Sequence, residues 1–429
     1  MAPTAQRESQ KAASFARHRF LYTLLFLSIL QLMLLSSVSL ATPQPLRILA
    51  ACKAGEGRIE VIKGWFLSEP SFTGVVIPAR TFGSVSGEDI WKMIRIYFPR
   101  TYREMTTYDF ILLASVDIQF FTSQQIQWMY DAISTAGLGG MNTRSVQSCS
   151  TAWSASWTTS IISQAFPNDA PAVLNCRYYT TGVDATGPLV VNDGEVPPVV
   201  KPYKRQIERS LPAYRGLITI PRAGSTIYTW VRCSRMKLGD PSPGLIPHLF
   251  SWKFQNGTTF TAMDMVFEPF WKEDRNPFSL DVITNVVWYA AGRDLPRDAM
   301  MVHELRNMFR AYQLRKTCLL GMFDFAEAFG ANTKDAYSRL TEIDGEKSQA
   351  DLAYLEGEFQ GSYNKMAALL KKIRELEDLA MAIKDKALLW IYFTEWLVVT
   401  ATMLLSGSAL WHIMVRRKLY REAKTTRFG

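Results

Sequence analysis

An α/β domain with a Rossmann-like, mostly parallel sheet, followed by a long helical hairpin or coiled-coil stalk and a transmembrane helix, is the architecture this sequence predicts. Three observations carry it. Short apolar runs alternate with helix-period segments from Leu46 to Pro296, a heptad pattern extends from Leu352 to Trp390, and a 29-residue apolar segment precedes a basic tail. With 429 residues, 48% hydrophobic and 20% charged, the chain can bury a sizeable core and is neither disordered nor a disulfide miniprotein. Of the net charge of +9, +8 resides in the tails, +3 in residues 1–19 and +5 in residues 416–429. The remainder is near neutral, which argues against nucleic acid as a partner.

The elements follow in order. LRILAAC (Leu46–Cys52) is a short apolar run suited to a buried strand, and GVVIPA (Gly74–Ala79) is the next. Glu88–Phe98 has helical apolar spacing at Ile90, Met93, Ile94 and Tyr97. YDFILLAS (Tyr108–Ser115) reads as a central strand, apolar through its middle as a strand covered on both faces should be. Thr122 or Ser123 then caps a helix with Ile126, Met129, Tyr130 and Ile133 on one face. Gly137, Gly139 and Gly140 are expected to end it in a turn.

The middle is less regular. Trp153 and Trp157 precede the helical-looking TTSIISQAF, and Gly187–Pro202 reads as a surface excursion. Leu217–Gly224 and Thr226–Met236 alternate like mixed or antiparallel strands. Phe250–Phe267 reads as a hairpin around Asn256-Gly257, a favoured tight-turn pair and, in an exported chain, part of a glycosylation sequon. Phe278–Gly292 closes the domain as a helix, and Pro296 marks its end, giving an α/β domain over 42–296.

The stalk spans 297–386. Met300–Phe329 is compatible with a long helix, Gly330-Ala331-Asn332 interrupts it, and a second run begins after Gly345. Its a positions are Leu352, Phe359, Met366, Ile373, Ala380 and Ala387, and its d positions Leu355, Ser362, Leu369, Leu376, Ile383 and Trp390. Only Ser362 interrupts this apolar seam. A helix over 348–386 would be about 58 Å long. Its partner is either the 300–329 helix or a second subunit, so homo-oligomerisation through the stalk is open. The charges between the stripes, Lys371 to Lys386, form a solvated face.

Ala387–Val415 is long enough to span, with Glu395, Trp390 and Trp396 at one interface and Trp411, Arg416 and Arg417 at the other. Glu395 reads as interfacial, or alternatively as an intramembrane carboxylate. The basic residues 416–429 predict a cytosolic tail, which places the preceding body outside the cell membrane, with lipid as one partner and other membrane or surface proteins as further ones. Phe20–Leu40 carries no charge and follows the basic residues 1–19, so it is either a signal peptide or an N-terminal transmembrane helix.

LRILAACKAGEG, YDFILLASVD with its following helix and GLGGM, and the closing DVITNVVWYAAGRDLP together resemble the class I glutamine amidotransferase-like superfamily, especially its membrane-anchored archaeal versions. The resemblance covers about 250 residues and implies a Rossmann-like fold. It also implies a nucleophilic cysteine on a sharp elbow, with a later histidine followed by glutamate. The corresponding stretch, Gly139 to Ser145, has no cysteine, so the resemblance supports the fold and counts against amidotransferase chemistry.

Other site candidates are sparse. Cys149 with His248, oriented by Asp264 or Glu268, is the one constellation for cysteine chemistry; Ser145 and Ser148 lie outside any GxSxG elbow. Gly139, Gly140 and Arg144 form the ligand-binding candidate, an anion or carboxylate site at the carboxyl edge of the sheet. Gly55-Glu56-Gly57 lacks the spacing of a phosphate loop. Cys52, Cys149, Cys176, Cys233 and Cys318 show no metal-ligand spacing, so neither a metal nor a cofactor is expected; export allows one or two disulfides, with at least one thiol left over. The expected function is a membrane-anchored extracytoplasmic ligand- or protein-binding subunit with an inactive amidotransferase-like domain. A cysteine- or serine-dependent amidase or peptidase, and a purely structural subunit of a membrane complex, are the alternatives.

Overall fold

The computed structural model describes residues 44–55, 59–81, 85–143, 157, 159–169, 188–211, 220–232, 244–266 and 268–425. Residues 1–43, with the apolar segment 20–40, lie outside them; from Pro45 onward the chain forms one unit. Its strands are β1 (Leu46–Lys53), β2 (Phe72–Arg80), β3 (Phe110–Ala114), β4 (Gly139–Thr143), β5 (Asn168–Asp169), β6 (Leu189–Val191), β7 (Ile220–Pro221), β8 (Thr226–Arg232), β9 (Leu245–Phe254) and β10 (Gly257–Ala262). Eight of them make one sheet in the order β2-β1-β3-β4-β10-β9-β8-β6, while β5 and β7 pair separately. From β2 to β10 the pairings are parallel, and from β10 to β6 antiparallel. The α/β class with a helical stalk is therefore present.

Alternation along the central strands explains why both faces must be covered. In β1, Leu46, Ile48, Ala50 and Cys52 enter one core, and Leu49 and Ala51 enter the other. β3 splits Phe110, Leu112 and Ala114 from Ile111 and Leu113 in the same way. The second core is closed by α2 (Gly87–Tyr97) and α4 (Ser123–Ser134), through Ile90, Ile94, Met129 and Ile133. Met93 and Tyr97, expected on the apolar face of α2, are exposed, because only Ile90 and Ile94 of that stripe reach the sheet. α4 starts as expected, with Thr122 and Gln125 forming a reciprocal capping box.

The first core lies under α1 (Ile59–Ser68) and α6 (Ser279–Ala290) and continues without a break into the stalk. Short helices α3 (Tyr102–Met105) and α5 (Lys204–Ser210) complete the body. Gly187–Pro202 is not merely a surface excursion: Leu189 and Val191 are buried, and β6 forms an edge of the main sheet. Ile161–Ala165, within the helical-looking TTSIISQAF, is a 3-10 turn. The hairpin at Asn256-Gly257 is present, joining β9 to β10.

The stalk consists of α7 (Ala299–Ala328), α8 (Lys334–Leu355) and α9 (Phe359–Thr425). The expected helix over 348–386 is interrupted at Gly357, whose φ of +81° lies in the left-handed region that favours glycine. The heptad seam holds from there on: Ser362, Met366, Leu369, Ile373, Leu376, Ala380 and Ala387 are buried, whereas Leu352, assigned to the same seam, is exposed on α8. α9 packs on both α7 and α8, so the seam is filled within the chain. The hydroxyl of Ser362, the polar member of the seam, donates to the Ala350 carbonyl at 2.8 Å.

Candidate functional site

The glycines proposed for ligand binding have a packing role in the sheet. Gly139 and Gly140 open β4 at its amino end, on the far side from the carboxyl edge where open α/β sheets bind ligands. A Cβ on Gly139 would stand 2.8 Å from the Cβ of Ala290 and 2.9 Å from Phe110, so the missing side chain lets α6 lie close on β4. The expected turn at this cluster is thereby corrected: Gly137, at φ +79°, makes the turn and the next pair starts a strand. Arg144, Ser145, Ser148 and Cys149 lie outside the described residues, as do Cys176 and Cys233.

The carboxyl edge has its own polar groups. Ser115 follows β3 at φ +58°, uncommon for serine, and its amide donates to the Thr143 carbonyl at 2.9 Å. At the end of β4, Asn142 Nδ2 and Thr143 Oγ1 are buried without a hydrogen-bond partner. Lys53 is buried at the end of β1.

At this same edge the structure brings together His248 and Asp264. His248, on β9, approaches Thr229 of β8 with Nδ1 at 2.7 Å from Oγ1, and Asp264 with Nε2 at 3.3 Å from Oδ1. Both side chains of the His248–Asp264 pair are wholly removed from solvent. Thr229 Oγ1 already accepts the Leu249 amide at 3.1 Å, so its hydrogen is available to Nδ1, and the imidazole proton then faces Asp264. Burial pushes His248 down to about 3, and burial likewise raises the Asp264 carboxyl well above the usual range. The imidazole is thus neutral; Nδ1 is taken by Thr229, and Nε2 faces the buried Asp264 carboxyl. Neither ring nitrogen is open to solvent, and Ser115 stands three strand spacings from β9, roughly 14 Å. The arrangement can lock the β8–β9–β10 junction; in this state it cannot serve as an accessible base.

A second buried cluster joins the body to the stalk. Arg306 of α7 lies 2.9 Å from Glu69 Oε2 and 2.7 Å from Asp281 Oδ1, with all three groups buried. Its Nε also donates to the Tyr354 hydroxyl of α8 at 2.9 Å, and that hydroxyl donates to Glu69 at 3.1 Å. His303 Nδ1 sits 2.6 Å from Asp281 Oδ2. Ser71 donates to Glu69 Oε1 from both its amide and its hydroxyl, and Trp288 Nε1 donates to Ser71 Oγ. Three helices, α6, α7 and α8, and the α1–β2 turn therefore meet at one guanidinium. None of these residues belongs to a motif with recognisable spacing in the sequence. The periodicity of α7 would have flagged an arginine in a buried stripe.

Farther along α9, Trp390, Glu395, Trp396, Trp411, Arg416 and Arg417 all lie on the exposed portion. This helix is long and apolar enough to cross a membrane, and its most apolar window has no buried residue. At its start, a cavity of about 1030 Å³ is bounded by the α7–α8 turn on one side and by Ile383 to Trp396 on the other. Among the described residues no cluster of His, Cys, Asp and Glu could hold a metal; Cys52 is buried, and Cys318 is an exposed thiol on α7.

No family model matches the chain, and no curated protein matches it. Among solved structures, a cytoplasmic protein from Salmonella typhimurium LT2 is similar at 12% identity and a TM-score of 0.40, over 57% of this chain and 99% of that one. An exo-β-1,4-mannosidase from Opitutaceae bacterium strain TAV5 is similar at 12% identity and a TM-score of 0.29, over 58% of this chain and 36% of its own. Likeness at this level carries no argument about activity.

Proposed function

We propose that the chain is a membrane-anchored subunit that presents a catalytically inactive, class I glutamine amidotransferase-like body outside the cell membrane, where that body binds a protein, peptide or small ligand. One observation carries the anchoring. α9 is a single helix whose first half buries one stripe in the core it shares with the body, and whose segment from Leu389 to Val415 is apolar and almost wholly exposed. An exposed apolar length of this kind is stable in hydrocarbon and unfavourable in water. The tail from Arg416 to Arg427 supports the inward orientation of the C-terminus. The amidotransferase-like assignment rests on the resemblance of three sequence segments, and the inactive reading on the cysteine-free Gly139–Ser145 stretch together with the sealed state of His248. Partner binding is the role this reading assigns to an exported body whose Gly139–Ser145 stretch carries no cysteine.

The test uses the native thiol of Cys318 and a Thr425→Cys variant. A membrane-impermeant maleimide added to intact cells, followed by peptide mapping, should label Cys318 and spare position 425 until the cells are opened. Labelling of position 425 from outside, with Cys318 protected, overturns the orientation. Purification from native membranes should then recover a stoichiometric partner, and recovery of the chain alone, with no small ligand retained, counts against a binding subunit.

A further inference from the structure

The cavity at the foot of the stalk has walls whose chemistry changes in a fixed direction. Its lining on α9 runs from Ile383, Lys386 and Ala387 to Leu389, Trp390, Tyr392, Phe393 and Trp396. The opposite wall is the α7–α8 turn, Phe329 to Asn332. Lys386 is the one charged residue among the lining groups, and no carboxylate lines the cavity. At about 1.5 Å per residue, Lys386 and Trp396 stand roughly 15 Å apart along the helix. A cation therefore marks the body-side end of an apolar, aromatic trough whose other end opens where α9 becomes fully exposed.

The level of this trough is also set by the chain. Ala387 is the last buried residue of the seam, and Trp390, Tyr392 and Trp396 follow it on the exposed helix. Trp and Tyr collect at the headgroup level of a bilayer. The α7–α8 turn reaches the same level and ends in two exposed aromatic side chains, Phe325 and Phe329, with ring centroids 4.9 Å apart. Gly330, at φ +77°, turns the chain back at that point. Exposed aromatics at the tip of a helical turn are unfavourable in water and favourable in the interfacial region.

We propose that this trough is a binding site for one glycerophospholipid of the outer leaflet, with the phosphate at Lys386, the glycerol backbone and first methylenes of the acyl chains along Trp390, Phe393 and Trp396, and the turn at Phe329 closing over them. The order of chemistries along the trough, cation outward and apolar walls inward, matches the order of groups in a leaflet. It does not match a soluble helix, which would need to enter from the side occupied by lipid. The bound lipid would make the α7–α8 turn a second foothold of the body on the membrane. This inference rests on the membrane-anchored reading above.

The experiment uses full-length protein in nanodiscs of phosphatidylcholine and phosphatidylglycerol, transferred to mild detergent for native mass spectrometry. Wild type should retain one phospholipid per chain. Ala331→Trp fills the trough from the exposed turn, and Phe329→Gln removes its aromatic wall without adding bulk. Both should lower retention by about tenfold, while urea midpoints stay at the wild-type value. Lys386→Gln should weaken retention of both phosphate-bearing lipids. Equal retention in wild type and Ala331→Trp, or no retained phospholipid at all, overturns the site. A wild-type dimer that Ala331→Trp converts to monomer, without a lipid adduct, overturns it in favour of a second copy of the chain. Alkaline carbonate extraction separates this from the anchoring itself: wild type that resists extraction yet retains no lipid removes only the lipid site, whereas release by carbonate removes the membrane reading.

Discussion

Replacing Asp264 by Asn isolates the titration of His248 and measures how completely the β8–β9–β10 junction is sealed. An ordinary histidine titrates near 6.5, whereas burial holds His248 at about 3 in the folded chain. Because the folded value is the lower one, the contribution to stability is present above about pH 6.5 and is lost as pH falls toward 3. Between pH 7 and pH 5 the unfolded chain protonates this imidazole and the folded chain does not, which lowers stability by about 2 kcal/mol. That figure is insensitive to the folded value so long as it lies well below 5. In the wild type the raised Asp264 carboxyl acts in the opposite direction: its contribution is fully present at low pH and fades as pH rises above the ordinary carboxylate range. Asp264→Asn removes that counterweight. Urea unfolding of the full chain in detergent, followed by tryptophan fluorescence at pH 7 and pH 5, measures the change. The double variant Asp264→Asn/His248→Gln serves as reference, so that all other carboxylates cancel. Asp264→Asn should lose about 2 kcal/mol more than the reference over this interval. If the two variants track each other within about 0.5 kcal/mol, the imidazole is charged or reached by water in the folded chain, and the reasoning that excludes it as an accessible base fails.

Three further outcomes are expected. Arg306→Ala leaves Glu69 and Asp281 buried without their guanidinium and should destabilise the folded chain by about 3–5 kcal/mol in the same unfolding assay. Gly139→Ala forces a methyl group against Ala290 and Phe110, costing about 1–3 kcal/mol, while Gly224→Ala meets no neighbour and is resisted only by its φ of +83°. In the stalk, Ile373→Ala should cost about 2–5 kcal/mol because the side chain is fully buried, whereas Leu352→Ala, exposed on α8, should stay within about 0.5 kcal/mol; equal effects at the two positions would refute the break at Gly357.

How much of this could be read in advance depended on whether the signal was local. β1, β3, α4 and the β9–β10 hairpin are each specified by neighbouring residues, through apolar runs, a capping box or a turn pair. Their positions were accordingly legible. α1 was missed although Ile59, Ile62, Trp65 and Phe66 have helical spacing, because the adjoining glycines drew attention to a loop. Three glycines within Gly137–Gly140 read as a turn, yet Gly139 is required by α6, which lies about 150 residues downstream and cannot be seen in that window. Tyr354 and Glu69 are 285 residues apart, so the cluster around Arg306 has no sequence spacing to recognise. The sequence leaves either Asp264 or Glu268 open as the partner of His248; that it is Asp264, in a site sealed by Thr229 and Phe270, is a tertiary fact.

The uninterrupted run of α9 from buried Ala380 to exposed Trp411 has a mechanical consequence. Without a proline, and with Gly407 lying well inside the apolar stretch, the rod contains no joint between the buried seam and the exposed segment that, in the anchored reading proposed above, enters the bilayer. A single residue inserted between Ala387 and Trp396 would therefore swing the attached body by about 100° and lift it by about 1.5 Å. Adding seven residues would raise it by about 10 Å while restoring nearly the original azimuth. The direction in which the sheet edge points is thus geared to the depth of the span, like a cutter on a threaded shaft.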